Sequence, residues 1–157
     1  MKIFKNRAWT MILIILILGT LAGCGKEKSK DVSIEDINQK INQEVDLSSM
    51  VKGDMEQLEK LYDIEKEKVD SFVLYTASTN IKADEIAIVK VKDSNDIEKV
   101  QEAFQNRIDK QSKAFQDYLP EEYFLIENHV LKNNGEYIIF IISKDTQKIE
   151  EIVDGCF

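Results

Sequence analysis

Two places in this chain put reactive or strongly polar side chains at spacings that matter. The first is Leu21-Ala22-Gly23-Cys24, where a thiol follows small residues just past the apolar run 11–18. That run is itself preceded by Lys2, Lys5 and Arg7. The second place is Arg107, Gln111 and Tyr118, which recur on one side of a helical pattern beside Phe104 and Phe115. A guanidinium near a core must find an acid or carbonyls. It is then either an ion pair tying helix to sheet, or a clamp that holds a ligand's carboxylate or a peptide terminus.

Elsewhere the chemistry is thin. His129 is the single histidine, set in a predicted strand, and Cys156 lies one residue from the last residue, Phe157. Zinc needs several such ligands gathered together, so no metal or other cofactor is expected. There is no Gly-rich phosphate loop and no G-x-S-x-G elbow. Glu121-Glu122 and Glu150-Glu151 read as solvated faces, since paired carboxylates do acid–base work only when buried together. Asp93, Asn95 and Asp96 lack the Gly and distal Glu of a calcium loop and read as helix caps. No catalytic residue is assigned, and an enzyme is not expected.

The amino-terminal stretch has the three parts of an export signal in order: a basic start, an apolar segment of about a dozen residues, and small residues at its end. It is short of the ~20 residues of a spanning helix. Leu21-Ala22-Gly23-Cys24 resembles the lipobox of bacterial lipoproteins at all four positions. That resemblance implies a diacylglycerol on the Cys24 thiol, acyl chains of the palmitate kind, and cleavage before Cys24 by a peptidase that recognises Leu21, Ala22 and Gly23. The expected layout is a signal peptide over 1–23, a lipidated start and tether over 24–32, and one domain over 33–157. The expected location is the extracytoplasmic face of the cell membrane, with the lipid as the membrane contact. Two acyl chains anchor stably where one is marginal.

Loss of Lys2, Lys5 and Arg7 with the signal leaves 18 basic against 29 acidic residues, a formal charge of −11. Such a domain is unsuited to nucleic acid, which is bound through Lys and Arg on phosphates. With Cys24 alkylated, Cys156 has no partner within the chain, so a disulfide framework is excluded. A single Pro and abundant Lys, Ile, Asn and Glu suit a low-GC Gram-positive bacterium.

The elements that must position Arg107 and its neighbours follow from periodicity. Ser33 precedes Ile34, Ile37 and Ile41, predicting a helix over 34–44; a loop follows over 45–53. Asp54 with Gln57 opens a second helix whose Leu58, Leu61 and Tyr62 share a face. Residues 69–78 and 86–92 are rich in β-branched and aromatic types and predict a hairpin. In the second strand Ala87, Val89 and Val91 share one face, and Ile86, Ile88, Lys90 and Lys92 the other, which is expected to be partly wet. The longest helix is predicted over 95–118 and ended by Leu119-Pro120. Strands over 124–131 and 137–143 flank the turn Asn133-Asn134-Gly135. A last helix spans 145–153. The order is α-α-β-β-α-β-β-α: an α+β domain of two ββα units, with an antiparallel sheet of about four strands and the long helix on one face.

Three segments carry a wider resemblance: DEIAIVKVKD at 84–93, RIDKQSKAFQDYLPEEY at 107–123 and NNGEYIIFIIS at 133–143. Arg107, Gln111, Phe115, Tyr118, Pro120, Gly135 and Tyr137 at this spacing make the chain similar to the lipoproteins grouped as domain of unknown function 4358, over about residues 41–153. The resemblance implies a lipoprotein with one compact domain and no assigned activity or catalytic residue. The expected function is a non-catalytic binding or accessory module of the cell envelope, partnered by an envelope protein or peptide. Two other readings are open: a ligand-binding or sensing lipoprotein with a clamp around Arg107, and an envelope hydrolase.

Overall fold

A computed structural model describes residues 32–157. The signal, the Leu21–Cys24 tetrapeptide and the tether up to residue 31 lie outside the described residues. Those residues form five α-helices and five strands: α1 (Ile34–Glu44), β1 (Met50–Lys52), α2 (Met55–Tyr62), β2 (Val69–Ala77), β3 (Glu85–Val91), α3 (Ile97–Phe115), α4 (Pro120–Glu127), β4 (Val130–Asn134), β5 (Tyr137–Ile142) and α5 (Thr146–Asp154). The α+β class and the antiparallel sheet agree with the pattern in the sequence. The sheet has five strands in the order β1-β2-β3-β5-β4, all pairs antiparallel.

Three local departures have physical reasons. β1 falls in the predicted loop; it is three residues long, too short for alternation to register, and pairs with the far end of β2. Residues 120–127, placed partly in a strand, are helical. Pro120 occupies the first helical turn, where its missing N–H and fixed φ are no handicap, and Glu121 and Glu122 sit at the positive end of the helix dipole. Pro120 therefore begins one helix as well as following another, and the following strand starts only at Val130. In the tight turn the two central residues are Gly135 and Glu136, between Asn134 and its partner Tyr137. Gly135 takes φ 57°, the left-handed value that glycine tolerates at the first position of such a turn.

The sheet is covered on both faces. On one side Ala87, Val89 and Val91 of β3, with Ile138, Phe140 and Ile142 of β5, meet Leu58 and Tyr62 of α2 and Val100, Phe104 and Ile108 of α3. Tyr62, Phe104 and Phe140 form an aromatic group with ring centroids 4.2, 5.6 and 6.3 Å apart. On the other side Ile86, Ile88, Ile139 and Ile141 pack against Ile37 and Ile41 of α1 and Ile149 and Val153 of α5. The second face of β3 is dry at Ile86 and Ile88, fully buried beneath the first and last helices, and becomes wet as it runs into Lys90, partly exposed, and Lys92, exposed. The two ββα units thus place their helices on opposite faces. β5 is buried at all six positions, as its unbroken run YIIFII requires of a strand covered twice.

The first described residue, Val32, is fastened to the body of the domain. Val32 is buried, and the Tyr137 hydroxyl accepts from its N–H (3.1 Å) and donates to its carbonyl (2.7 Å).

Candidate functional site

Arg107 lies on the inner side of α3, one turn beyond Phe104 and facing the start of β3. There it meets Glu85. Strand alternation explains the meeting: Glu85 shares the parity of Ala87, Val89 and Val91, so the pleat turns its carboxylate toward α3 rather than toward solvent. Arg107 donates through Nη2 to Glu85 Oε2 at 2.7 Å and through Nε to both carboxylate oxygens at 3.2 Å. Gln111, one turn further along α3, donates its side-chain N–H to Glu85 Oε2, and the Tyr62 hydroxyl donates to Oε1. Three donors from two helices therefore converge on one buried carboxylate; Glu85 is 1% exposed and Gln111 5%.

The electrostatics are mutually consistent. Burial, and then the adjacent Glu85 charge, push the Tyr62 phenol well above its ordinary value, so it remains a donor. Burial works against the Arg107 charge, but its hydrogen bonds to Glu85 and the Glu85 charge outweigh that and raise its pKa. The bidentate geometry is the kind that makes an arginine–carboxylate pair hold in a site shielded from water.

Above this network runs an open groove of about 420 Å³ between α3 and the β2–β3 connection. Arg107, Lys110 and Gln111 line one side, and Thr76, Ser78 and Asp84 the other. Its far end is tied by Glu122 of α4, which accepts from Lys82 Nζ at 2.5 Å and from the Ala83 N–H at 2.9 Å. Asp84 is half-buried. Desolvation, with the charge of Glu122 adding to it, raises its carboxyl above the usual carboxylate value.

Of the residues singled out in the sequence, the fold brings Arg107 and Gln111 together and leaves Tyr118 out. Tyr118 is 82% exposed, beyond the end of α3. Helix α3 stops at Phe115 rather than continuing to residue 118, so the spacing that aligned Tyr118 with Gln111 is broken. His129 precedes β4, with Nδ1 2.7 Å from the Ile126 carbonyl and the ring against Phe140. Cys156 donates to the Ile152 carbonyl at 3.2 Å. Asp93 caps a short turn through the Asn95 N–H (2.9 Å), and Asp96 pairs with Lys68. Among the described residues no group of three or more His, Cys, Asp or Glu is placed to hold a metal. Glu85 and Tyr62 are the site residues that sequence reading missed. The signal for Glu85 was available, because an acid in phase with Ala87 and Val89 must face the core.

The family model described as Domain of unknown function (DUF4358) matches residues 43–143. The chain belongs to that family. The match runs from the end of α1 through β5, so every member of the Tyr62–Glu85–Arg107–Gln111 network lies within the DUF4358 region, and the closing helix α5 lies outside it. No curated protein and no solved structure matches the chain. Among the described residues no helix is long and apolar enough to cross a membrane.

Proposed function

We propose that this protein is a lipid-anchored, extracytoplasmic module of the cell envelope that binds rather than catalyses. The observation that carries the binding half is the groove set on a pre-paired base. Arg107, Glu85, Gln111 and Tyr62 already satisfy one another's charge and geometry. The groove above them is therefore a rigid, hydrogen-bonding surface in place before any partner arrives, which lowers the cost of binding. Its hydroxyls, at Thr76, Ser78 and Thr79, have no histidine beside them in the groove wall. A nucleophile without a base is a poor start for hydrolysis. Because Arg107 gives Nε and Nη2 to Glu85, it serves this site as a support for the wall, and a direct Arg107 clamp on a ligand carboxylate loses ground to contacts along the wall. The anchor half rests on Leu21-Ala22-Gly23-Cys24 and the basic and apolar segments before it.

The test has two readouts on cells fed an alkyne-tagged fatty acid. Wild-type protein is expected in the membrane fraction carrying the tag, and Cys24→Ala is expected without it and released. A Cys24→Ala protein that stays tagged in the membrane would overturn the anchor. For binding, the purified full chain in detergent is titrated with fractionated envelope extract. A rise in melting temperature with the stabilising component recovered unchanged supports a binding module; consumption of that component with product release overturns it.

A further inference from the structure

The sheet has two outer edges, and they differ. At one, β1 is three residues long and covers only the Tyr75–Ala77 end of β2, and the uncovered part of β2 carries a register shift between Val69 and Ser71. Short strands and bulges are what blunt an edge. At the other, β4 runs five residues in unbroken register with β5 and contains no proline.

The direction of its backbone groups follows from β5. The Val91 N–H bonds the Glu136 carbonyl at 2.9 Å, so Glu136 and, by alternation, Ile138 and Phe140 turn their backbone groups toward β3. Tyr137, Ile139 and Ile141 turn theirs toward Asn134, Lys132 and Val130 of β4. Leu131 and Asn133 are left facing outward, with two N–H and two C=O groups that have no partner among the described residues. Lysine is a common guard of such an edge, but Lys132 is drawn back onto α5. Its Nζ lies 2.6 Å from Glu150 Oε1 and 2.7 Å from Asp154 Oδ1. Two carboxylates on one ammonium leave a negative charge beside the edge, and it is within reach, since Glu150 is partly exposed and Asp154 exposed.

We propose that β4 takes an extended segment of another polypeptide as a sixth strand, and that this segment alternates apolar and basic residues. The four outward backbone groups supply the pairing. A residue laid opposite Lys132 shares its face, so a Lys or Arg there comes alongside Glu150 and Asp154 and balances the second carboxylate. On the other face an apolar residue lies beside Leu131 and extends the core cluster that Leu131 packs against. A second copy fits less well, because β4 laid antiparallel on β4 brings two such acidic clusters to the same side of the joined sheet. No residue of β4 lines the groove, so this surface stands independently of it.

The full chain in detergent is immobilised and panned with a phage library of random dodecapeptides. The best binder is then synthesised as selected and with Glu in place of its basic residues. Selected peptides are expected to alternate apolar or β-branched residues with Lys or Arg. By NMR, the selected peptide should slow amide exchange at Leu131 and Asn133 about tenfold or more, while Lys132 and Asn134, whose amides already bond β5, change little. The Glu form should bind about tenfold more weakly or worse. Asn133→Pro removes an outward N–H and leaves the bonds between β4 and β5 whole, so it should weaken the selected peptide about tenfold at a similar melting temperature. Should that variant fail to fold, the exchange measurement on the wild type decides alone. Selected peptides without the basic alternation, equal binding of the Glu form, full binding by a folded Asn133→Pro, or exchange at Leu131 and Asn133 that no selected peptide slows would overturn the inference. So would exchange at those two amides that slows with protein concentration alone as the sedimenting mass doubles, which would make a second copy the occupant. Each of these outcomes leaves the groove reading standing.

Discussion

At the scale of single residues, the molecule turns on one carboxylate. Glu85 is almost fully buried, while the Arg107 side chain keeps 22% of its exposure. Removing either partner strands the other, at about 3–5 kcal/mol for a buried pair. The two losses should be unequal. Arg107→Met strands the deeper charge and is expected to destabilise more than Glu85→Gln, whose stranded guanidinium can still reach water. Urea denaturation of the two single variants and of the double variant Glu85→Gln/Arg107→Met closes the cycle. The double variant should lose less than the two singles together. Strict additivity would show that the pair is not coupled. Asp84 gives a second residue-scale prediction with a definite sign. Its pKa is raised on folding, chiefly by desolvation, so the native state holds this proton more tightly than the unfolded chain. Below the ordinary carboxylate range both states are protonated and no penalty exists. As pH rises through that range and the raised native value, stability falls, and the penalty is complete above it. Asp84→Asn should therefore melt higher than wild type at neutral pH, with the gap closing on acidification. A gap that widens in acid would reverse the assignment. Arg107 and Gln111 were legible in the sequence because a cation and an amide beside a helix's apolar stripe ask for a buried partner. Tyr118 was misplaced because periodicity alone cannot say where a helix stops, and Phe115 is where this one does.

At the scale of elements, the strands and helices follow their local chemistry closely. Asp54 caps α2 by accepting from the Gln57 N–H at 2.9 Å, and the apolar phase of α3 buries Val100, Phe104 and Ile108. What resisted reading is explained by tertiary context. Residues 123–126 are four apolar side chains in a row, which have no helical phase, and only Ile126 of them is buried. Pro120 with two acids after it was the better guide to α4. β1 exists because Gly53 passes close to β2: its N–H bonds the Leu74 carbonyl at 2.8 Å, and a Cβ there would stand 2.6 Å from Leu74 Cδ2. Leu74 is fully buried and has nowhere to swing. Gly53→Ala is thus expected to cost about 1–3 kcal/mol, the range of overpacked cores. Hydrogen exchange should show the loss concentrated in β1 and the adjoining end of β2; a neutral substitution would mean that Leu74 repacks freely.

For the whole molecule, the sheet is a middle layer with α2, α3 and α4 on one side and α1 and α5 on the other. The sequence pointed to one long helix on one face and left unstated the cover that α1 and α5 give the other over Ile86 and Ile88; the water expected where that face runs into Lys90 and Lys92 is there. Lys90 is partly exposed, its Nζ 5.5 Å from the Tyr137 ring centroid. The amino-terminal end of this layered body is fastened through Tyr137 rather than through the sheet ladder. Tyr137→Phe removes both bonds to Val32 and should cost about 1–2 kcal/mol. Amide exchange at Val32 and the first turn of α1 should quicken while β3 and β5 stay protected; uniform protection would mean that the hydroxyl does not hold the end.

That fastening decides how the body would hang. With Cys24 lipidated as proposed, eight residues from Gly25 to Val32 span at most about 27 Å. A tug on this leash would travel through a phenol into the second-innermost strand, a load path that spares α1 from being peeled away. Because Val32 belongs to the α1–α5 side of the sheet, the leash leaves from the back of the molecule, and the groove, on the opposite side, would open toward whatever drifts past the membrane.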